Sequence, residues 1–338
     1  MSWIPWLYVT FLNSCPSIIE ARNLAGVSEF HLMGLSEDPE LQPILFGIFL
    51  IMYLITVFGD LLIIMAVSSD SNLQTPMYFF LFNLSLADIC FITTTVPKLI
   101  VDIQTQSRVI SIVGCLTHMS LFLLFGNMDD MLLTAMAYDW FVAICQSLHY
   151  PVIMSPCFCC VLVVVSLWFS LLGSQLQNFI SLQFTCFKDV EISNYFCDPS
   201  KILHLSCSET FRNNVIMFFL VSIFGFVPIS GILFSYYKIV SSILRIPSSS
   251  GRHKAFSTCG SHLSVVCLFY GTAISMYFGS TISHCSSHVV LASLMYTVVT
   301  PMLNPFIYSL RNRDLSKTLK RLHSKTVLTQ ALRHPFHR

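Results

Sequence analysis

Residues 43–68 read PILFGIFLIMYLITVFGDLLIIMAVS, twenty-six residues from Pro43 to Ser68 in which Asp60 is the sole charged group. As a helix rising 1.5 Å per residue the stretch is about 39 Å long, enough to cross a hydrocarbon core of about 30 Å. It shows no period-two alternation, and a backbone in lipid has to satisfy its own hydrogen bonds, so a helix is predicted rather than a barrel strand. Six further runs of the same kind follow: Pro76 to Val96, Val113 to Ile144, Phe158 to Phe179, Val215 to Tyr237, Phe256 to Tyr277 and Val289 to Leu310. The expected fold is an all-α membrane protein, a seven-transmembrane helix bundle in one domain.

Composition agrees with a lipid solvent. Only 10% of the 338 residues are charged and 54% are hydrophobic, where a soluble domain carries roughly 25% charged residues. A soluble enzyme is excluded, and so is a disordered chain. The net charge of +1 creates no field that would gather nucleic acid. Outside the spans there is no nucleophile elbow, phosphate-binding loop or acid–base pair, so no enzyme is expected. Transport through the bundle is disfavoured by the absence of internal repeats.

Seven spans put the two termini on opposite sides. Twelve of the eighteen basic residues gather in two places: Lys238, Arg245, Arg252 and Lys254 between spans five and six, and Arg311, Arg313, Lys317, Lys320, Arg321, Lys325, Arg333 and Arg338 after span seven. The positive-inside rule then places the N-terminus outside. Residues 1–42 form an extracellular segment, 43–310 the bundle and 311–338 a cytoplasmic tail. The apolar stretch Trp3 to Leu12 lacks the basic n-region of a signal sequence.

Six of the thirteen cysteines fall on the outer side: Cys15, Cys115, Cys186, Cys197, Cys207 and Cys285. An oxidising face permits disulfides, and six cysteines allow fifteen complete pairings. Metal binding is not expected. Cys157, Cys159 and Cys160 lack a second cysteine pair at ligand spacing, and His284 and His288 have only Cys285 close by.

Carboxylates inside spans cost about 2.5–3.5 kcal/mol each at midplane and so demand a role or a partner. Asp60, Asp88, Asp129 and Asp130 are such groups. Adjacent residues on a helix lie about 100° apart, so Asp129 and Asp130 are expected to diverge, one into the bundle and one toward a neighbouring helix. Asp60, Asp88 and one of that pair can converge on Na+ or a proton, or be protonated and hydrogen-bonded to Asn, Ser and Thr.

The motifs name a family. Pro76-Met77-Tyr78-Phe79-Phe80-Leu81 is followed by Asn83-Leu84-Ser85-Leu86-Ala87-Asp88. Span three ends in Met136-Ala137-Tyr138-Asp139-Trp140-Phe141-Val142-Ala143-Ile144-Cys145, then Leu148-His149-Tyr150. Lys254-Ala255-Phe256-Ser257-Thr258-Cys259-Gly260-Ser261-His262-Leu263 opens span six, and Pro301-Met302-Leu303-Asn304-Pro305-Phe306-Ile307-Tyr308-Ser309-Leu310-Arg311-Asn312 closes span seven. In order and spacing, from about Asn23 to Arg321, the chain resembles the vertebrate olfactory receptors among rhodopsin-like G-protein-coupled receptors, and more narrowly their family 7.

The resemblance implies a plasma-membrane odorant receptor that binds small hydrophobic volatiles and activates a stimulatory G protein. It implies disulfides Cys115 to Cys197 and Cys186 to Cys207, sodium-site carboxylates Asp88 and Asp129, and an activation switch at Asn304, Pro305 and Tyr308. Proline there removes a helix donor and leaves a deformable turn. G-protein contacts are implied for Lys254 to His262 and for a short amphipathic helix after Tyr308. The implied odorant pocket is Phe122, Leu123, Gly126 and Asn127 on span three, Leu220 and Phe224 on span five, and Ala273, Ile274 and Tyr277 on span six, an apolar lining with two polar handles.

Four positions depart from the family. Trp140 stands where the family has Arg, and an indole cannot replace a five-donor cation. Asp139 is therefore expected to lack its partner, with a looser resting state, and a receptor-fold relic or non-signalling binder becomes the alternative. Asp60 stands for Asn, and Ser147 for the Pro before Leu-His-Tyr. Asn23-Leu24-Ala25 lacks the family's glycosylation acceptor, and the sequon Asn83-Leu84-Ser85 lies inside span two.

Overall fold

The computed structural model describes residues 29–36, 38–182, 190–205, 211–245, 248–282, 286–311 and 314–321. The spans are α1 (Gln42–Ser69), α2 (Pro76–Thr105), α3 (Ile112–Cys145), α4 (Pro156–Ser181), α5 (Phe211–Leu244) and α6 (Ser249–Ile282), with α7 running as Ser286–Leu294, a π-helical turn Met295–Val299 and Thr300–Arg311. All seven are long and apolar enough to cross a membrane. A further helix, α8, covers 314–321, with Leu315 and Thr318 buried and Asp314, Lys317, Lys320 and Arg321 exposed, which makes it the expected amphipathic helix.

Isoleucines 44, 48 and 51, Phe58, Leu62 and Met65 of α1 all stand exposed on the outside of the bundle. A patch of that extent is not tolerated against water and is normal against lipid. Since hydrocarbon is as apolar as leucine, helices in it associate through close packing, small residues and interhelical hydrogen bonds. α4 shows this directly. Its buried face carries Ser166, Ser170, Gly173 and Ser174, a small-residue stripe that admits α3. Ser174 Oγ donates to the Ser120 carbonyl across 2.7 Å, and Asn178 bonds the Ser120 hydroxyl.

α2 continues nine residues beyond the expected end at Val96, through Pro97. In lipid an interrupted helix has no water to fall back on, so proline is absorbed rather than obeyed as a stop. α2 ends instead at Gln106, whose φ of 55° lies in the left-handed region, a position that usually takes glycine. The Gln106 amide donates to Gln42 Oε1 at 3.0 Å and so ties the end of α2 to the start of α1.

An all-helical reading misses a small sheet of order β2-β1-β3 at this end of the bundle. β1 (Glu29–Leu32) pairs antiparallel with β2 (Val109–Ser111) in the register Phe30 to Ile110, and parallel with β3 (Glu191–Ile192) in the register Leu32 to Ile192. Phe30 and Leu32 are buried while Glu29 and His31 are exposed, the period-two signature of a half-buried strand. Arg108 clasps the segment that follows β1. Its carbonyl accepts from Leu32 N, its guanidinium donates to the Ser36 carbonyl at 3.3 Å, and a Cβ at Gly34 would collide with that guanidinium.

Candidate functional site

A lid closes the sheet end. The disulfide Cys115–Cys197, with Cα atoms 5.5 Å apart, fastens the connection before α5 to the top of α3. Asn194, Tyr195 and Phe196 are thereby carried into the bundle and buried. Tyr195 Oη lies 2.6 Å from Thr297 Oγ1 and Asn194 Nδ2 donates to Ser293 Oγ at 3.4 Å, so the lid is also held by α7. Burial pushes the Tyr195 phenol well above its ordinary range, opposed by the bond to Thr297, and it stays a neutral hydroxyl. Asp198 is buried beside it and accepts from Ser200 N and Oγ at 2.7 and 2.5 Å. Burial raises its carboxyl, opposed by those bonds and by Lys201. Sequence reasoning missed these lid residues, although adjacency to Cys197 was the available signal. Cys186 and Cys207 lie outside the described residues, as do Cys15 and Cys285.

Beneath the lid, four expected pocket residues come together on α3. The Phe122 ring packs on Phe196 (4.9 Å), Phe91 (5.1 Å) and Tyr296 (6.1 Å), and Tyr296 packs on Phe269 (5.4 Å). Leu123 is buried, and Gly126 lets Tyr296 approach so closely that a Cβ there would stand 3.2 Å from Tyr296 Oη. Asn127 Nδ2 is buried and has no hydrogen-bond partner among the described residues. Leu220, Ala273 and Tyr277 are half-buried against the same core.

Two expected pocket residues are placed elsewhere. Ile274 is 51% exposed on the outside of α6. Ala273 and Tyr277, four apart, share the inward face, and Ile274, rotated about 100° from Ala273, looks toward lipid. Phe224 turns into the seam between α4 and α5, its ring 4.5 Å from Phe169 and pressed on Gly173. A cleft lined by Cys267, Gly271, Ser275 and Leu291 lies between α6 and α7 on the lipid-facing side, where all four are exposed.

Midway along the bundle the carboxylates sort as their spacing requires. Asp60, Asp88 and Asp129 are buried on α1, α2 and α3, while Asp130 turns to α6 and accepts from the Tyr270 hydroxyl. Asn304 Nδ2 donates to both Asp88 oxygens, at 3.1 and 3.0 Å. Asp129 Oδ1, Asn304 Oδ1 and Tyr308 Oη are buried without a partner among the described residues. No three His, Cys, Asp or Glu side chains among those residues gather closely enough to hold a metal ion. α7 is irregular here because Pro301 and Pro305 supply no N–H to the carbonyls one turn back, and the π turn sits directly before them. Pro305 packs on Gly59 of α1, where a Cβ would lie 3.0 Å from the proline ring.

At the α8 end, Asp139 is not left alone. Tyr150 Oη donates to Asp139 Oδ1 at 2.8 Å, which corrects the expectation drawn from Trp140. The Trp140 ring is half-buried against Ile239, Ile243 and Cys259, residues of α5 and α6. His262 stacks on Tyr236, with Nδ1 2.7 Å from Tyr236 Oη and Nε2 3.1 Å from the Leu133 carbonyl. A carbonyl only accepts, so Nε2 carries the proton and Nδ1 accepts from tyrosine. α3, α5 and α6 are thus joined here by one polar chain and one apolar cluster. Of the expected Lys254 to His262 contact segment, the side chain of Lys254 lies outside the described ones.

The comparisons with known proteins agree with this architecture. The family model described as "Olfactory receptor" matches residues 49–326. The chain is 65% identical to Olfactory receptor 7E24 of Homo sapiens over 336 residues, covering 99% of each chain. It is 64% identical to Olfactory receptor 7E178 of Mus musculus, covering 93% of this chain and 95% of that one, and 54% identical to Olfactory receptor 7D4 of Homo sapiens, covering 91% and 98%. Squid rhodopsin shares the fold with a TM-score of 0.65 at 19% identity, covering 87% of this chain and 88% of that one. With seven membrane helices, a buried aromatic cluster beneath a disulfide-held lid and this match along most of its length, the chain belongs to the olfactory receptor family.

Proposed function

We propose that this multi-pass receptor sits in the plasma membrane with its N-terminus outside, binds small hydrophobic odorants among the aromatic residues under the lid, and signals through a stimulatory G protein at the α8 end. The disulfide supports the orientation, because disulfides persist on the oxidising side, and Lys238, Arg245 and Arg252 lie, with the basic residues of α8, at the opposite end. The pocket comprises Phe122, Leu123, Gly126, Asn127, Leu220, Ala273 and Tyr277.

One observation carries the ligand class. Asn127 Nδ2 is a buried donor with no partner among the described residues, next in the chain to Gly126, which packs on Tyr296 and Phe91, and a buried unmade hydrogen bond costs about 1–3 kcal/mol. A ligand with an acceptor oxygen on a hydrocarbon frame relieves that cost. The test is cAMP output against an odorant panel, with surface staining as control. An Asn127→Leu variant is expected to lose ketones, esters and ethers about tenfold relative to hydrocarbons of equal size; equal loss across both classes sinks the assignment.

The oxygen-rich interior fits a cation. Asp88, Asp129 and Asn304 would hold Na+, the unpartnered Asp129 Oδ1 and Asn304 Oδ1 being hard oxygen ligands of the kind such an ion takes. A single residue, Trp140, favours the second reading, a binder that no longer couples.

A further inference from the structure

We propose that Cys157 and Cys160, at the start of α4, are S-acylated. Both thiols are exposed and free, while Cys159 between them is buried, its Sγ 3.9 Å from the Met154 carbonyl. Three apart on a helix, Cys157 and Cys160 share a face, fixed there by the Ser155 cap, whose hydroxyl accepts from Phe158 N at 3.4 Å. That face continues up the helix as exposed Val161, Val164 and Trp168, the side that meets lipid. An acyl chain on either sulfur lies along this strip without crossing the bundle.

The neighbouring connection supplies an independent observation. Residues 146–155, QSLHYPVIMS, contain no Asp, Glu, Lys or Arg, yet Leu148 is 91% and Val152 78% exposed. A loop at the cytoplasmic membrane surface is ordinarily held by Lys and Arg to anionic headgroups. This one has no such cation and presents apolar side chains instead, a surface that dips into the interface. Cysteines at such a boundary are the substrates of reversible S-acylation. Each thiol attacks the carbonyl of a long-chain acyl-CoA. A carbon–sulfur thioester bond forms, the bond to coenzyme A breaks, and the thiol proton leaves with the coenzyme A thiol, with no change of oxidation state. The chain has no cysteine after Cys285, so no acyl group can be placed on α8 or the tail.

The inference rests on the orientation proposed above, which puts the start of α4 in the cytoplasm. Full-length receptor carrying an N-terminal epitope is expressed in mammalian cells, fed an alkynyl palmitate and assayed by hydroxylamine-dependent mass-tag exchange. Two tags are expected on the native chain, one on Cys157→Ser and on Cys160→Ser, and none on the double variant, with Cys267→Ser unchanged. Both substituted side chains are exposed, and epitope staining of intact cells reports delivery. No tag on a chain whose epitope stains on intact cells overturns the acylation and leaves the orientation standing. A tag surviving the double variant, or a native chain that carries only one tag, overturns the two-site assignment. An epitope stained only after permeabilisation, on a chain that surface biotinylation finds at the plasma membrane, overturns the orientation and the proposal with it.

Discussion

Tyr150 holds Asp139 by a 2.8 Å hydrogen bond across the turn after α3, so the carboxylate whose family partner has become Trp140 keeps a partner of another kind. Burial, then the charge of Asp139, hold the Tyr150 phenol far above its ordinary range, and it remains a donor throughout the physiological pH window. A hydrogen bond to a carboxylate contributes about 1.5–3 kcal/mol. Tyr150→Phe is therefore expected to loosen the α8 end and raise basal cAMP severalfold at equal surface density; unchanged basal output would show that the bond does not restrain activation.

Trp140 makes a different prediction. Its ring packs on Ile239, Ile243 and Cys259, so it fastens α3 to α5 and α6 by apolar contact where a guanidinium would instead be free to reach a partner. Trp140→Arg is expected to restore or increase odorant-evoked cAMP by about tenfold, the equivalent of about 1.4 kcal/mol. Native and variant receptors that reach the surface equally and signal equally would show that Trp140 does not limit coupling.

Asn304 and Asp88 form a unit across α2 and α7. Asn304→Ala strips both Asp88 oxygens of their donor and is expected to lower the unfolding free energy in detergent by about 1.5–3 kcal/mol. Adding Asp88→Leu is expected to recover part of the loss, and a double-mutant cycle measures the coupling. Strict additivity would mean that the two residues act independently.

Gly173 is where Phe224 crosses α4. An added Cβ would stand 2.6 Å from the ring, and the backbone cannot yield because Ser174 is bonded to α3. Gly173→Ala should cost about 1–3 kcal/mol by overpacking, seen as a lower melting temperature of the purified receptor. Gly225→Ala, with nothing within 4 Å of its added Cβ, is the matched control and should leave that temperature within a degree or two.

α8 is pinned to the turn after α1 by Asp70, which accepts from Thr318 Oγ1 at 2.7 Å and from Asn72 N at 3.0 Å and lies 3.9 Å from Arg321. The Thr318 bond above all, then those from Asn72, hold its carboxyl below the usual range. A depressed acid stabilises docking above its unfolded pKa, and that contribution is lost as pH falls through the lower folded pKa. A spin label at Lys317 should gain mobility in acid below the ordinary aspartate range, and Asp70→Asn should abolish that pH dependence.

How much was legible in the sequence differs by level. Seven apolar runs, each long enough to span a bilayer, determined the helices, because lipid leaves a backbone no other way to satisfy its polar groups. The divergence of Asp129 and Asp130 followed from 100° per residue alone. The rotation of each helix did not follow. Lipid and bundle interior are equally apolar, so hydropathy does not distinguish an inward Ala273 from an outward Ile274, or Phe122 in the cluster under the lid from Phe224 in its seam with α4. Contacts between distant segments were equally hidden: β1 joins β2 and β3 far along the chain, Tyr150 reaches Asp139, and Asn194 to Phe196 enter the bundle once Cys197 is tied to Cys115. The sequence by itself determined what crosses the membrane and which polar groups need partners. Only the tertiary structure decided which partners they found, because that choice depends on helix rotation and loop closure in three dimensions.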